Sequence, residues 1–216
     1  AVHATGLPAP NRSHFAAMEE VEDADPGSTV RRGWLNRLLG VDPARHPLHG
    51  FHLGGGVVPA SLYGPEPVMA AGRVDAVTVP GHDETDSSRD RMGSLHTLWD
   101  GDSSPLGRGM RSTFDAVGAF APVQAVPSHR ADYPATDLGR AMAETARILK
   151  GDVGVQVVTV DQGDWDMHSD LGTLEGGRMR RSTADLARSI ATFFDDLGSV
   201  ADRVTLVALS EFGPRG

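Results

Sequence analysis

Four apolar positions, Leu186, Ile190, Phe193 and Leu197, recur at intervals of four, three and four. That spacing is the period of an α-helix with one buried stripe, and Gly198 stands where such a helix stops. Val153 to Val160 follows a different rule. It is nearly continuously apolar and rich in β-branched residues, which predicts a strand buried on both faces. Val204 to Leu209 repeats that pattern and predicts a second buried strand. Upstream, Thr136 is placed to cap a helix that carries Leu138, Met142 and Leu149 inward and ends at Gly151. The order helix, strand, helix, strand implies a right-handed βαβ crossover with the two strands parallel. Residues 131–216 therefore read as the regular βαβ part of a single α/β domain, a three-layer sandwich with a mostly parallel sheet.

Residues 1–130 read as the loop-rich part of the same domain. Ser13 can cap a short helix bearing Phe15, Met18 and Val21, which Asp25-Pro26-Gly27 ends. Trp34, Leu35, Leu38 and Leu39 form a one-face pattern closed by Gly40, a good residue just beyond a helix. From Asp42 to Pro67 the chain is rich in Gly, Pro and His and predicts mostly loop. Val74, Val77 and Val79 suggest a strand ending at Pro80. Two helices follow, one from about Arg89 to Trp99 with Met92, Leu95 and Trp99 on one face. The other starts at Ser104-Pro105 and carries Leu106, Met110, Phe114 and Val117.

Composition narrows the chemistry. The 216 residues include 26 glycines and 14 prolines, so turns and long loops occupy much of the chain. No apolar run is long enough to cross a bilayer, so no membrane span is expected. A net charge of −9 argues against non-specific binding to nucleic acid or an anionic membrane. The absence of cysteine removes disulfides, thiol catalysis and thiolate metal sites together, leaving oxygen and imidazole as the available ligands. Ala1–Ser13 has neither the basic nor the apolar region of a signal peptide, so the chain is either cytoplasmic or already processed.

In open parallel sheets, functional groups gather beyond the carboxyl ends of the strands. The segment following the first valine-rich strand, Asp161-Gln162-Gly163-Asp164-Trp165-Asp166-Met167-His168-Ser169-Asp170, places four aspartates and a histidine together with no basic residue among them. Crowded carboxylates raise one another's pKa unless a cation or solvent intervenes. A divalent ion fits such a set, through Asp164 with His168 or Asp166 with His168. The competing reading is a solvated acidic loop with Trp165 tucked inward. Glu211 follows the second strand and would open on the same rim, where it could ligate a metal or orient a water. His46, His49 and His52 surround Pro47 and Gly50 and read as an exposed loop rather than a metal clip. Gly54-Gly55-Gly56 lacks the lysine of a phosphate loop and reads as a flexible turn. Asp100-Gly101-Asp102 reads as a turn ahead of a helix cap. Arg178, Arg180 and Arg181 follow the acidic loop, placed to pair with its carboxylates or an anionic group, though most such clusters are simply solvated.

Several separated motifs occur here in a familiar order: Val2-His3-Ala4-Thr5-Gly6, Asn11-Arg12-Ser13-His14-Phe15, Gly33-Trp34-Leu35-Asn36-Arg37, Trp165-Asp166-Met167-His168 and Ser210-Glu211-Phe212-Gly213. In this the chain resembles an uncharacterised bacterial family of twin-arginine-exported proteins in the alkaline phosphatase/sulfatase-like superfamily. The resemblance implies an alkaline phosphatase-like fold, a metal-binding rim, and a secreted or periplasmic location with the signal removed. It also implies a metal-dependent hydrolase of phosphate or sulfate esters acting on a small-molecule substrate. In that scheme Asp164, Asp166 and His168 hold one or two zinc, manganese or calcium ions, and Glu211 is catalytic. A Ser/Thr or Asp nucleophile would come from the opening strand, with Ser13 as a substitute, and His14 and Arg215 contact substrate; the competing reading has Ser13 as an N-cap and His14 as a first-turn surface residue. The chain departs from the family in having Pro214 directly after Ser-Glu-Phe-Gly, and in lacking an opening strand and a closing Asp-His-Gly element. An internal fragment is therefore expected, which need not be active. The alternative function is an exported, non-catalytic binding or scaffold protein that keeps the fold.

Overall fold

The computed structural model describes residues 13–25, 28–55, 57–79 and 91–211. The chain is α/β, built on a small three-stranded parallel sheet. Its strands are β1 (Gly50–Leu53), β2 (Met69–Ala71) and β3 (Val157–Thr159), in the order β2-β1-β3. Phe51 pairs with Met69 on one side of β1 and with Val158 on the other.

The central strand lies inside the stretch predicted to be loop. Its four residues are all buried, and they are too few and too varied to announce themselves by periodicity. Gly50 allows the close packing there, because a Cβ would fall 2.6 Å from Leu39 Cδ1. The strand expected through Val74, Val77 and Val79 is not formed: Val74 and Val77 are buried, but Val74 opens a 3₁₀ turn (Val74–Ala76) that Val77 follows, and the neighbouring strand is Met69–Ala71 instead.

Seven helices surround the sheet among the described residues: α1 (His14–Asp23), α2 (Trp34–Leu39), α3 (Arg91–Trp99), α4 (Pro105–Ala119), α5 (Ala121–Ala125), α6 (Asp137–Lys150) and α7 (Arg178–Leu197). The three anticipated N-caps are made by side chains. Ser13, Ser104 and Thr136 accept hydrogen bonds from Ala16, Gly107 and Gly139 amides. Gly198 follows α7 with φ +55, a conformation that favours glycine. Gly40 ends α2 with φ −73, so its use is close packing beside Glu66 rather than a left-handed turn.

Side chains alternate across β1, and each face finds its own helices. Phe51 and Leu53 join Phe120, Val123, Ala116 and Ile148 from α4, α5 and α6 in one core, with Phe51 and Phe120 stacked at 5.5 Å. On the opposite face Leu35 and Leu39 of α2 pack with Leu62 and Val157. A third cluster joins Leu138, Met142, Ala143 and Ala146 of α6 to Phe193 and Leu197 of α7. The one-sided apolar patterns of α6 and α7 are thus the interface between them.

Three expectations fail at the edges. Phe15 is 80% exposed, and Met18 also faces solvent, so the apolar face of α1 does not enter the core. Val204–Leu209 is neither a paired strand nor buried. Val204 leaves the preceding turn extended, no bend follows through Ser210, and Val207 and Leu209 are exposed. A strand needs a neighbour for its amides and carbonyls, and none lies beside this one among the described residues. Within Val153–Val160 only Val157–Thr159 pairs, and the segment is half-buried rather than covered on both faces.

Candidate functional site

The carboxyl ends of β1 and β3 open on one rim, as parallel strands require, and α1 runs along it. At its start, His14 Nδ1 lies 3.9 Å from Glu211 Oε1, two residues beyond the Val204–Leu209 segment. At its other end, Glu22 accepts hydrogen bonds from the Ala60 and Ser61 amides and lies within electrostatic reach of Asp161. Burial lifts the Glu22 carboxyl above the ordinary carboxylate range, the two amides oppose this, and the Asp161 charge adds to the rise. This glutamate was not singled out from sequence, because Glu19-Glu20-Val21-Glu22-Asp23 looks like an ordinary acidic helix face.

What holds α1 in place is the Gly33-Trp34-Leu35-Asn36-Arg37 motif. Asn36 is fully buried. It donates to the carbonyls of Leu62 and Glu66, each at 2.9 Å, and accepts from the Glu66 amide at 3.2 Å. Gly33 lets the chain touch the backbone of Ser61, where a Cβ would sit 2.1 Å from the Ser61 carbonyl carbon. Arg37 donates at 2.6 Å to the Asp23 carbonyl at the end of α1, and to that of Arg32. The motif is a clasp joining α1, α2 and the 60–66 segment, and its side chains do not face the rim chemistry.

In the acidic loop, His168 Nε2 and Asp166 Oδ2 are 2.9 Å apart, and both side chains are exposed. Asp164 adopts φ +67, a left-handed turn conformation that aspartate tolerates. Trp165 is half-buried. The structure thus brings together two pairs, Asp166 with His168 and His14 with Glu211. Among the described residues it does not bring three His, Asp or Glu side chains to a common ligating point. The Ser13 hydroxyl spends a lone pair capping α1. Arg215 lies outside the described residues. Arg180 donates to the Leu174 carbonyl rather than to the acidic loop.

His52 overturns the exposed-loop expectation for the histidine triplet. It is 1% exposed on β1, with Nδ1 3.0 Å from Thr159 Oγ1 on β3, so it links the two strands just below the rim. His46 caps the Pro47–His49 turn by accepting from the Leu48 amide. A polar residue between Phe51 and Leu53 was the available signal for His52, since alternation in so short a strand points it to the other face. Asp102 accepts from the Ser104 amide, as a turn before a helix cap should.

A second polar cluster lies away from the rim. Asp196 of α7 is nearly buried and receives His129 at 2.5 Å, the Tyr133 hydroxyl at 2.9 Å and Lys150, the only lysine in the chain. Burial alone would raise the Asp196 carboxyl, but the three donors hold it below the usual range. Burial, with Asp196 alongside, pushes the Tyr133 phenol well above its ordinary value.

No helix among the described residues is long and apolar enough to cross a membrane. No curated protein and no solved structure is similar to the chain. Residues 112–215, just under half of the sequence, match the model of the family described as "Protein of unknown function (DUF1501)", a span that contains the acidic loop and Glu211 but not Ser13 or His14.

Proposed function

We propose that the chain is a metal-dependent hydrolase of phosphate or sulfate esters, or a part of one, with an alkaline phosphatase-like fold and an exported location. The observation that carries this reading is the set of groups at the carboxyl rim: Asp161 and the Asp166–His168 pair after β3, and Glu211 with His14 beside α1. Hard carboxylate oxygens with an imidazole suit zinc, manganese or calcium, and no basic residue within 161–170 neutralises the aspartates. Asp164, Asp166 and His168 would hold the ion, and when bound it would supply Lewis-acid stabilisation of ester oxygens. His14 and Glu211 sit across the rim, where the imidazole contacts the ester and the carboxylate orients a water. Arg215 is assigned to the anionic group of the substrate.

The test is metal content after dialysis, with turnover of p-nitrophenyl phosphate and p-nitrophenyl sulfate in zinc, manganese or calcium. Retained metal that is lost in the Asp166→Ala/His168→Ala variant, together with turnover, upholds the proposal. Equal binding by the variant removes it. Metal binding without turnover favours the second reading, a non-catalytic binding protein. That reading is supported by Ser13, the candidate nucleophile, being engaged as a helix cap.

A further inference from the structure

α6 and α7 run in parallel, tied near their starts by Thr136 and Asp185 and near their ends by Lys150 and Asp196. At the starting end a cavity of about 560 Å³ opens between residues 134–136, residues 175–177 and the first three turns of α7. Three arginines of α7 line it, Arg180, Arg181 and Arg188, together with two acids, Glu175 and Asp185. Neither acid takes up an arginine. The Glu175 carboxylate accepts from the Thr173 hydroxyl and its own amide, while Asp185 accepts from the hydroxyls of Thr136 at 2.8 Å and Ser189 at 3.4 Å. Arg181 and Arg188 make no ion pair or hydrogen bond with any described residue, and Arg180 commits one nitrogen, to the Leu174 carbonyl. The cavity thus holds unpaired guanidinium groups beside carboxylates that are bonded elsewhere.

The backbone on that side adds donors. Gly172 and Gly177 cross so closely that a Cβ on either would fall 2.3 Å from the other's Cα. The Thr173 amide donates to the Gly176 carbonyl and the Met179 amide to that of Leu171, which closes the turn. No side chain caps α7 at Gly177 and no acid lies in its first turn, so the amides of Gly177, Arg178 and Arg180 have no acceptor among the described residues. α6, by contrast, is capped by Thr136. Arginine is the wrong charge for this end of a helix, which the macrodipole already makes positive. α7 nevertheless carries it at its first, third and fourth positions. An anion in the cavity answers both features, accepting from the open guanidinium and amide donors and offsetting their charge.

We propose that this cavity binds an elongated anion carrying two or more phosphate or sulfate groups. Arg181 and Arg188 stand two helical turns apart, about 10 Å along the axis of α7, which is more than one such group spans. One group belongs at the start of α7 with Arg181, and a second belongs with Arg188. The planar fork of a guanidinium matches the paired oxygens of either group. Pro134, Ala135 and Ala184 supply the apolar part of the lining. His14, Glu211 and residues 161–170 are not among the lining residues, so the site needs no metal and is separate from the rim.

Isothermal titration calorimetry of the 216-residue chain in EDTA tests it, with inorganic phosphate, tripolyphosphate and a trisulfated disaccharide as probes. The expected result is that an elongated probe binds once per chain, about tenfold or more tighter than inorganic phosphate. Arg181→Ala/Arg188→Ala should weaken that binding by about tenfold or more. Arg73→Ala/Arg203→Ala removes the same charge at two exposed positions outside the cavity and should leave it unchanged. Gly176→Asp, at a position where a Cβ meets nothing within 4 Å, adds a carboxylate to the cavity and should also weaken binding. A preference for tripolyphosphate upholds the proposal with a phosphate chain as the ligand, and a preference for the disaccharide upholds it with a sulfated sugar. Failure of both elongated probes to bind overturns it. So does equal loss in the two arginine pairs, which would mean non-specific attraction, or inorganic phosphate binding as tightly as the longer probes. EDTA excludes metal, so each outcome is independent of the hydrolase reading.

Discussion

His14, the first residue of α1, stands 3.9 Å from Glu211, near the other end of the described chain. The contact joins the Ser13-His14-Phe15 and Ser210-Glu211 motifs, and it is made at the carboxyl rim where parallel sheets carry their chemistry. Both partners are partly exposed, so the pair contributes little to stability.

Substituting this pair separates chemistry from folding. Glu211→Gln and His14→Ala should each shift the melting temperature by no more than about 3 °C, the consequence of losing a solvated ion pair. If the hydrolase proposal holds, each should lower kcat/KM for p-nitrophenyl phosphate by about 100-fold. Calorimetry and steady-state kinetics on the same preparations check both halves. A large melting shift with unchanged kinetics would make the pair a structural tie.

Asn36 gives the opposite pattern. Its side chain satisfies two carbonyls and one amide in a fully buried setting, so Asn36→Ala strands three polar groups. The expected cost is about 2–3 kcal/mol by urea unfolding. Because Arg37 beside it anchors the end of α1 through the Asp23 carbonyl, amides of residues 14–23 should exchange faster in the variant than those of α6.

How far the sequence discloses this arrangement depends on the range of the interactions. The N-caps at Ser13, Ser104 and Thr136 and the apolar stripes of α6 and α7 are local, and they stand where the pattern puts them. Gly50–Leu53 is not local. It is a strand because Met69–Ala71 and Val157–Thr159 flank it, and nothing within those four residues says so. Val204–Leu209 shows the converse, a segment with strand composition and no strand, since pairing is a property of two segments. At the rim, Asp166, His168, His14 and Glu211 are legible as chemistry-bearing residues. Glu22 is not, because its shift comes from burial against the 60–61 backbone.

Asp196 predicts the acid limb of stability. Its carboxyl is depressed in the folded chain despite burial, by donors from Lys150, His129 and Tyr133. A depressed carboxyl contributes fully above its unfolded value of about 3.9, and the contribution fades as pH falls toward the folded value. Asp196→Asn should therefore be less stable at neutral pH and show a shallower loss of stability below about pH 4. Urea midpoints measured across that range check the slope.

Tyr133 governs the alkaline side with the opposite sign. Its phenol is raised, so its contribution is intact below the unfolded value of about 10 and lost as pH climbs above it. In a Tyr63→Phe background, phenolate absorbance from Tyr133 should appear only together with unfolding, as followed by circular dichroism. Phenolate formation that precedes unfolding would mean that the hydroxyl does not face Asp196.

Arg147 supplies the strongest stability prediction. Its guanidinium is almost fully buried in α6 and donates to the carbonyls of Val126 and Gln124 and to the carboxylates of Asp75 and Glu144. Glu144 in turn accepts from the Val74 amide at 2.6 Å, so the network ties α6 to the end of α5 and to the Val74 turn. Lysine has neither the reach nor the fork to replace it. Arg147→Met should cost about 3 kcal/mol, in part because Glu144 is left as a poorly hydrated charge while the exposed Asp75 regains water. Adding Glu144→Gln removes that charge and keeps an acceptor for the Val74 amide, so the double variant should recover about 1 kcal/mol in urea unfolding. A double variant no more stable than Arg147→Met alone would place the whole cost in the lost carbonyl contacts of Val126 and Gln124.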